Sequence, residues 1–388
     1  MENLPPEFEK FVNWCKTEAL PYWAKAALAP TGGVYECLRM DGTPVTDSLK
    51  RVRVQARFSY VYAHASALGW FDNAKTVSDY VWQHVMGPGS QGGEDIPGTG
   101  YKGCAHLLAA DDSLHDGLRD TYAQAFIILA GSWRYIAFKD NAALNIAKET
   151  LAFLDSNVQA GNGGWQEGLP ASLPRRQNPH MHLFEALIAL YDATQNPQYL
   201  NRAGEIYTLF QNTFFDAGTG TIIEFFNQDW TRADNNGGPV EPGHMMEWCW
   251  LLRAYEDRSD VEINAQANAL YTSALTLGLN TKLGLLYDCV PPPTTGGTLR
   301  TWPQTELLKA SLAQAKSGDT ACMATAANTI QNMFSTYLNV PVKGGWLDQL
   351  DAEGAMISIT MPTSTFYHFF CAAAEVDAFI KWHKKRVG

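Results

Sequence analysis

Apolar residues recur at helical spacing in twelve stretches, over 6–29, 48–68, 72–86, 118–138, 141–159, 179–194, 197–214, 241–256, 259–279, 302–317, 319–338 and 360–384. Strand-like runs are short and confined to the gaps, at Thr221 to Phe226 and Leu283 to Tyr287. The gaps alternate in length. Short breaks fall at GWFD (69–72), Lys139-Asp140, NP (196–197), near Asp257 and at SGD (317–319); long loops occupy 30–47, 87–117, 160–178, 215–240, 280–301 and 339–359. Four of the long loops carry GGVYE, GNGGWQE, GTGTIIEF and GGWLDQLD, each a glycine turn beside aromatic or branched residues and an acid. Such segments predict small hairpins.

Strict alternation of short and long connections predicts repeated helical hairpins. The expected fold class is all-α, an (α/α)6 barrel of six inner and six outer helices, with small β-hairpins in the long loops on one rim. An open solenoid is the competing arrangement, and buried even-numbered helices would decide for the ring. No linker or composition shift divides residues 1–388, so a single catalytic domain is expected.

In such a ring every even-numbered helix enters from a long loop, and its first turn faces a common pocket. Those turns hold Arg53, Tyr122, Asn178, His182, His244, Glu247, Trp302, Glu306 and His368. Three of only nine histidines fall at this level. His244 and Glu247, at i, i+3, share a helix face, and a carboxylate there favours an imidazolium; an ordinary helix-terminal polar pair is the plainer reading. HxxE lacks the HExxH spacing of a zinc site, so no metal is expected. His180 and His182 lie on different faces, and His182 is the one placed with Asn178. His368 sits among Phe366, Tyr367, Phe369 and Phe370, where a packed core histidine is the competing reading. Arg53 and Arg57 share a face, and Arg53 lies nearer the loop end, where a guanidinium would hold a developing oxyanion. Trp302 offers a flat face to a sugar or packs the rim.

Composition narrows the classes. The 388 residues carry a formal charge of −11, which disfavours phosphate backbones and anionic lipid. No apolar run is long enough to cross a bilayer, and MENLPPEFEK is no secretory signal. Seven scattered cysteines without a CxxC pair read as reduced thiols, so a cytoplasmic location is expected. There is no GxGxxG fingerprint, Walker loop or GxSxG elbow, so no cofactor is expected. Neither nucleic acid nor membrane is an expected partner, and the pattern is compatible with a monomer or a homodimer.

RVQARFSYVYAHASALGW (53–70), DTYAQAFIILA (120–130), NPHMHLFEAL (178–187), EPGHMMEWCWLL (241–252), RTWPQTELLKA (300–310) and STFYHFF (364–370) resemble the N-acylglucosamine 2-epimerase superfamily, in its order and over most of the chain. The resemblance implies the same barrel and a carbohydrate isomerase or epimerase without metal or redox cofactor. By it Arg53, His182, His244, Glu247 and His368 match active-site positions, and NPHMHLFEALIALYDAT is most similar to the D-mannose isomerase branch. Many relatives read YDHAF where this chain has Tyr122 to Phe126 as YAQAF. The expected reaction interconverts D-mannose and D-fructose, and by extension D-lyxose and D-xylulose, through a cis-enediolate. His368 is the expected C2 base, His244 tuned by Glu247 the partner for ring opening, and Arg53 the enediolate's cation, the two histidine roles being exchangeable. His182, Asn178, Tyr122, Trp302 and Glu306 complete the substrate-binding set. The close alternative is a sugar 2-epimerase. More distant ones are a sulfo-sugar isomerase, a glycoside hydrolase using Glu247, Glu306 and Asp348, or a silent sugar binder.

Overall fold

The computed structural model describes residues 4–92, 102–291 and 296–387. Twelve long helices run through them in the predicted order. α1 is Pro6–Trp14 and Leu20–Ala26 joined by a π turn at Cys15–Ala19. The others are α2 (Val52–Ala67), α3 (Ala74–Met86), α4 (Thr121–Phe138), α5 (Asn141–Asn157), α6 (Gln177–Thr194), α7 (Pro197–Leu209), α8 (Pro242–Glu256), α9 (Asn264–Gly278), α10 (Thr301–Lys316), α11 (Cys322–Ser335) and α12 (Thr365–Val387).

Each even-numbered helix packs on the next, and α12 returns against α2, so the ring closes and the open solenoid is excluded. Burial separates the layers. α6 is buried without a break from Pro179 to Leu190. α7 buries only Tyr199, Ala203, Ile206 and Tyr207, the stripe of an amphipathic outer helix. At the closing seam Trp23 stacks on Trp346, ring centres 4.3 Å apart, and both stack on Phe366. Burying each such ring is worth roughly 2–3 kcal/mol.

The rim carries the expected small hairpins and adds pairing between loops. Hairpins occur at Phe215–Asp216 with Thr221–Ile222 and at Leu279–Asn280 with Leu285–Leu286. The more consistent pairing runs between successive loops. Lys50–Arg51, just before α2, pairs with Leu107–Leu108; Arg119–Asp120, before α4, pairs with Gly168–Leu169; Arg175–Arg176, before α6, pairs with Phe225–Phe226. Val240 bridges Val290, and Thr298–Arg300 pairs with Gln349–Asp351. Cys37–Arg39 pairs with Thr360–Pro362 and completes a belt of six contacts. These strands explain why α2, α4 and α12 begin later than their apolar patterns suggest. The belt residues before these helices are partly or fully buried, so they extend the apolar pattern without being helical.

A second repeat lies just inside the belt. Gln55, Gln124 and Gln304 occupy the same position in the first turns of α2, α4 and α10. Each clasps one residue of the preceding loop, Val34, Cys104 or Leu286, by accepting from its N–H and donating to its carbonyl. Inner-helix ends are thereby fixed to their own loops, which positions the mouth. Parts of the loops 87–117 and 280–301, which the sequence reading makes responsible for substrate choice, lie outside the described residues. No helix among the described residues is long and apolar enough to cross a membrane.

Candidate active site

The N-terminal ends of the inner helices surround a cavity of about 360 Å³. Seven of the nine residues expected there line it: Tyr122, Asn178, His182, His244, Glu247, Trp302 and His368. Arg53 and Glu306 do not. Arg53 stays at the rim, 3.9 Å from Asp120 and 5.1 Å from the centre of the Tyr122 ring. One turn deeper, Arg57 reaches the cavity wall and donates to the Tyr122 hydroxyl at 2.6 Å. Arg57 Nε is buried without a partner. Glu306 is fully buried behind the wall, with Oε1 2.8 Å from His368 Nδ1.

His244 Nδ1 lies 3.0 Å from Glu224 Oε2 and 3.5 Å from Glu241. Burial would lower its pKa, but Glu224 and Glu241 outweigh burial, Glu247 adds to them, and the imidazole is raised to about 10. The carboxylate that holds this ring is therefore Glu224, and the helical neighbour Glu247 is a lesser influence. Asn178 Nδ2 lies 2.9 Å from His244 Nε2, while Asn178 Oδ1 is buried and unpartnered. Turning that amide over lets Oδ1 accept from the imidazolium Nε2–H and satisfies both groups.

His368 has the opposite character. Its Nδ1 lies 2.8 Å from Glu306 Oε1. Burial, with the cations Arg57, Lys309 and His244 nearby, holds its pKa well below the ordinary value. A neutral ring that donates Nδ1–H to Glu306 keeps the Nε2 lone pair for a substrate. Trp302 stands between the two histidines, its ring 5.2 Å from His244 and 5.6 Å from His368. Gly243 permits this approach, since a Cβ there would meet the indole at 2.5 Å.

His182 is neutral, brought down to about 3 mainly by burial, with Glu185 opposing through a 3.3 Å contact to Nδ1. His180 faces away: it accepts from the Trp165 N–H and donates to the Arg176 carbonyl. It is the structural member of the pair, as the spacing suggested. Glu247 is fully buried, neither oxygen has a hydrogen-bond partner, and burial next to Glu306 raises its pKa to about 7.

Among the described residues three groups bring metal-type donors within 4.8 Å of one another: His182, Glu185 and Glu247; Glu224, Glu241 and His244, with Glu241 partly exposed; Glu247, Glu306 and His368. In each, the imidazole nitrogen facing the acids is positioned to share a proton with one of them. That is the arrangement of acid/base dyads.

Sequence reasoning passed over Arg57 in favour of Arg53 and missed Glu224, Glu241 and Glu185. Glu224 had a signal, the acid common to the glycine-turn loops. Glu36 pairs with Arg51, Glu167 accepts from the Arg176 backbone N–H, Glu224 holds Gln177 and His244, and Asp348 accepts from Thr365. Each loop acid fastens the start of an inner helix.

A model of the N-acylglucosamine 2-epimerase (GlcNAc 2-epimerase) family matches residues 33–372. The chain belongs to this family. It is 32% identical to "Mannose-6-phosphate isomerase" of Rhizobium meliloti, over 96% of this chain and 97% of that one. It is 25% identical to "D-mannose isomerase" of Marinomonas mediterranea, over 70% and 71%. The fold matches a crystal structure of D-mannose isomerase with a TM-score of 0.84 at 21% identity, covering 97% of this chain and 100% of that one. This member of the N-acylglucosamine 2-epimerase family is an enzyme of the sugar isomerase and epimerase type.

Proposed function

We propose that the protein interconverts the aldose D-mannose and the ketose D-fructose, and accepts D-lyxose by the same chemistry. The observation that carries the reading is two imidazoles on one indole, His244 held by Glu224 and His368 by Glu306, with the pKa of the first raised and that of the second lowered, which suits them as acid and base.

His244 gives a proton to the ring oxygen and regains one from the anomeric hydroxyl, so the sugar opens to the aldehyde and His244 ends as it began. His368 Nε2 then takes the C2 proton. The C2–H electrons form the C1–C2 double bond, and the aldehyde oxygen becomes the enediolate oxygen. Arg57 faces this negative charge in a site where a fixed cation counts for more than in water. His368 returns its proton to C1, and the O2 proton passes to O1 as the C2 carbonyl forms, which gives the C1 hydroxyl of the ketose. The proton count balances, and neither oxidant nor reductant is consumed. Asn178, His182 and Tyr122 hold hydroxyls, and Trp302 supplies the flat wall.

We choose an uncharged sugar over a phosphorylated one because two rim arginines are tightly paired with acids, Arg51 with Glu36 and Arg176 with Glu167; Arg53 and Arg300 lie 3.9 and 3.7 Å from Asp120 and Asp288.

Product analysis by NMR in deuterated water tests the reading. Mannose should give fructose with solvent deuterium at C1. Glucose as the product would instead support the 2-epimerase, in which both histidines flank C2. Turnover of mannose 6-phosphate without turnover of mannose would overturn the choice of a free sugar. Absence of turnover with mannose, lyxose and their phosphates would overturn the isomerase.

A further inference from the structure

Lys309 is fully buried on α10, one turn beyond Glu306. Its ammonium lies 2.6 Å from Glu306 Oε2 and 3.6 Å from the centre of the Trp250 ring. It does not line the cavity. Glu306 turns its other oxygen to His368 Nδ1 at 2.8 Å. Glu247, equally buried, lies on the cavity wall with both oxygens unbonded. Glu247, Glu306 and His368 bring ligand atoms within 4.8 Å. Two dry carboxylates this close do not both ionise readily. The only lysine or arginine in ion-pair contact with either, among the described residues, is Lys309, and it touches Glu306.

We propose that Lys309 is a positioning residue that sorts the two buried glutamates: it holds Glu306 as the carboxylate that orients His368, and thereby leaves Glu247 as the protonated acid at the cavity wall. The other groups facing this pair do not replace it. Arg57 on α2 is bonded to Tyr122, and Tyr367 on α12 donates to Glu185 at 2.6 Å. On α6, His182 is neutral and Glu185 is bonded to it. His244 on α8 is turned to Glu224, and Thr305 on α10 makes a 3.4 Å bond to Glu306. The inference rests on His368 as the isomerase base. Its ionic part is a property of the free protein.

Lys309→Met keeps the apolar stem and removes the charge. In the free protein, ¹⁵N NMR of labelled histidine should show His368 in one tautomer, proton on Nδ1, in the parent, and a loss of that single tautomer in Lys309→Met. In turnover, the acid limb of kcat should move up by at least one pH unit, because a carboxyl without its cation ionises later. kcat at neutral pH should fall at least tenfold with KM within threefold. Glu306→Gln should lose a comparable factor, and adding Lys309→Met to it should cost no more than a further twofold. Should Lys309→Met fail to fold, the Lys309→Met/Glu306→Gln protein, with both charges gone, carries the test against Glu306→Gln alone. An unmoved tautomer and acid limb, or losses that multiply in the double variant, would overturn the proposal. The NMR arm needs no sugar, so an error in the assigned substrate would leave its outcome readable.

Discussion

The two ends of the barrel both hold hollows, and the larger one is not where the chemistry gathers. The end formed by inner-helix C-termini encloses about 740 Å³, against about 360 Å³ at the N-terminal mouth. At the C-terminal end the polar groups are satisfied. Arg258 makes two 2.7 Å bonds to Asp192, Arg253 bonds Glu256, Gln314, Asn264 and Asn268, and Tyr60 bonds His64. Among the described residues lining it, no buried side-chain nitrogen or oxygen lacks a partner. At the mouth, both Glu247 oxygens and Arg57 Nε do. Unpaired buried polar groups are costly, so a fold that keeps several around one hollow reserves them for a ligand. Volume alone marks only where tapering helices fail to meet.

The sharpest way to break this contrast is to remove the base. His368→Ala should lower kcat by about a thousandfold or more while sugar binding persists, because proton transfer loses its acceptor. Arg258→Gln and Trp133→Phe at the other end should leave kcat within about twofold in the same assay, since they touch none of the unpaired groups. Loss of turnover in those variants, with folding intact by circular dichroism, would erase the distinction between the ends.

Within the mouth, Arg57→Gln should cost about a hundredfold in kcat and Arg53→Gln less than about tenfold, the difference being one oxyanion contact. Steady-state kinetics of the two purified variants decides which arginine faces the charge.

Glu224→Gln should move the alkaline limb of kcat to lower pH by at least one unit, because the acid that raises His244 is gone. Stability follows the same sign. A pKa raised on folding contributes stability that is fully present below the unfolded value near 6.5 and is lost as pH rises through about 10. Tm should therefore fall between those limits in the parent and fall less steeply in Glu224→Gln. The smallest effect is expected from the C-terminal end. The Arg258–Asp192 pair is about one-third exposed, so Arg258→Gln should cost no more than about 1 kcal/mol in denaturant titration.

Much of this was legible in the chain because helices announce themselves locally. The alternating connections specify a ring, and the ring brings the first turns together. That logic placed His182, His244 and His368 in one hollow. It failed where the geometry is not periodic. Arg53 and Arg57 lie four apart on one helix, and spacing alone does not show that Arg57 lines the cavity while Arg53 lies beside Asp120. Glu247 looked like the partner of His244 because it lies three residues on. The actual partner, Glu224, comes from a loop twenty residues back, and a loop's path is not encoded by helical spacing. Glu306 was visible as an acid in the right turn, but its burial behind His368 depends on packing between α10 and α12.

The belt at the rim has a consequence for how the molecule comes into being. Five of its contacts join consecutive loops, whereas the sixth fastens Thr363 to Tyr35, 328 residues away. Closure entropy grows slowly with span, so this clasp costs only on the order of 2 kcal/mol more than its neighbours. Its cost is mainly one of timing. A nascent chain on the ribosome can stack hairpin on hairpin, yet it has no catalytic hollow until Thr360–Pro362 and α12 emerge and the circle shuts.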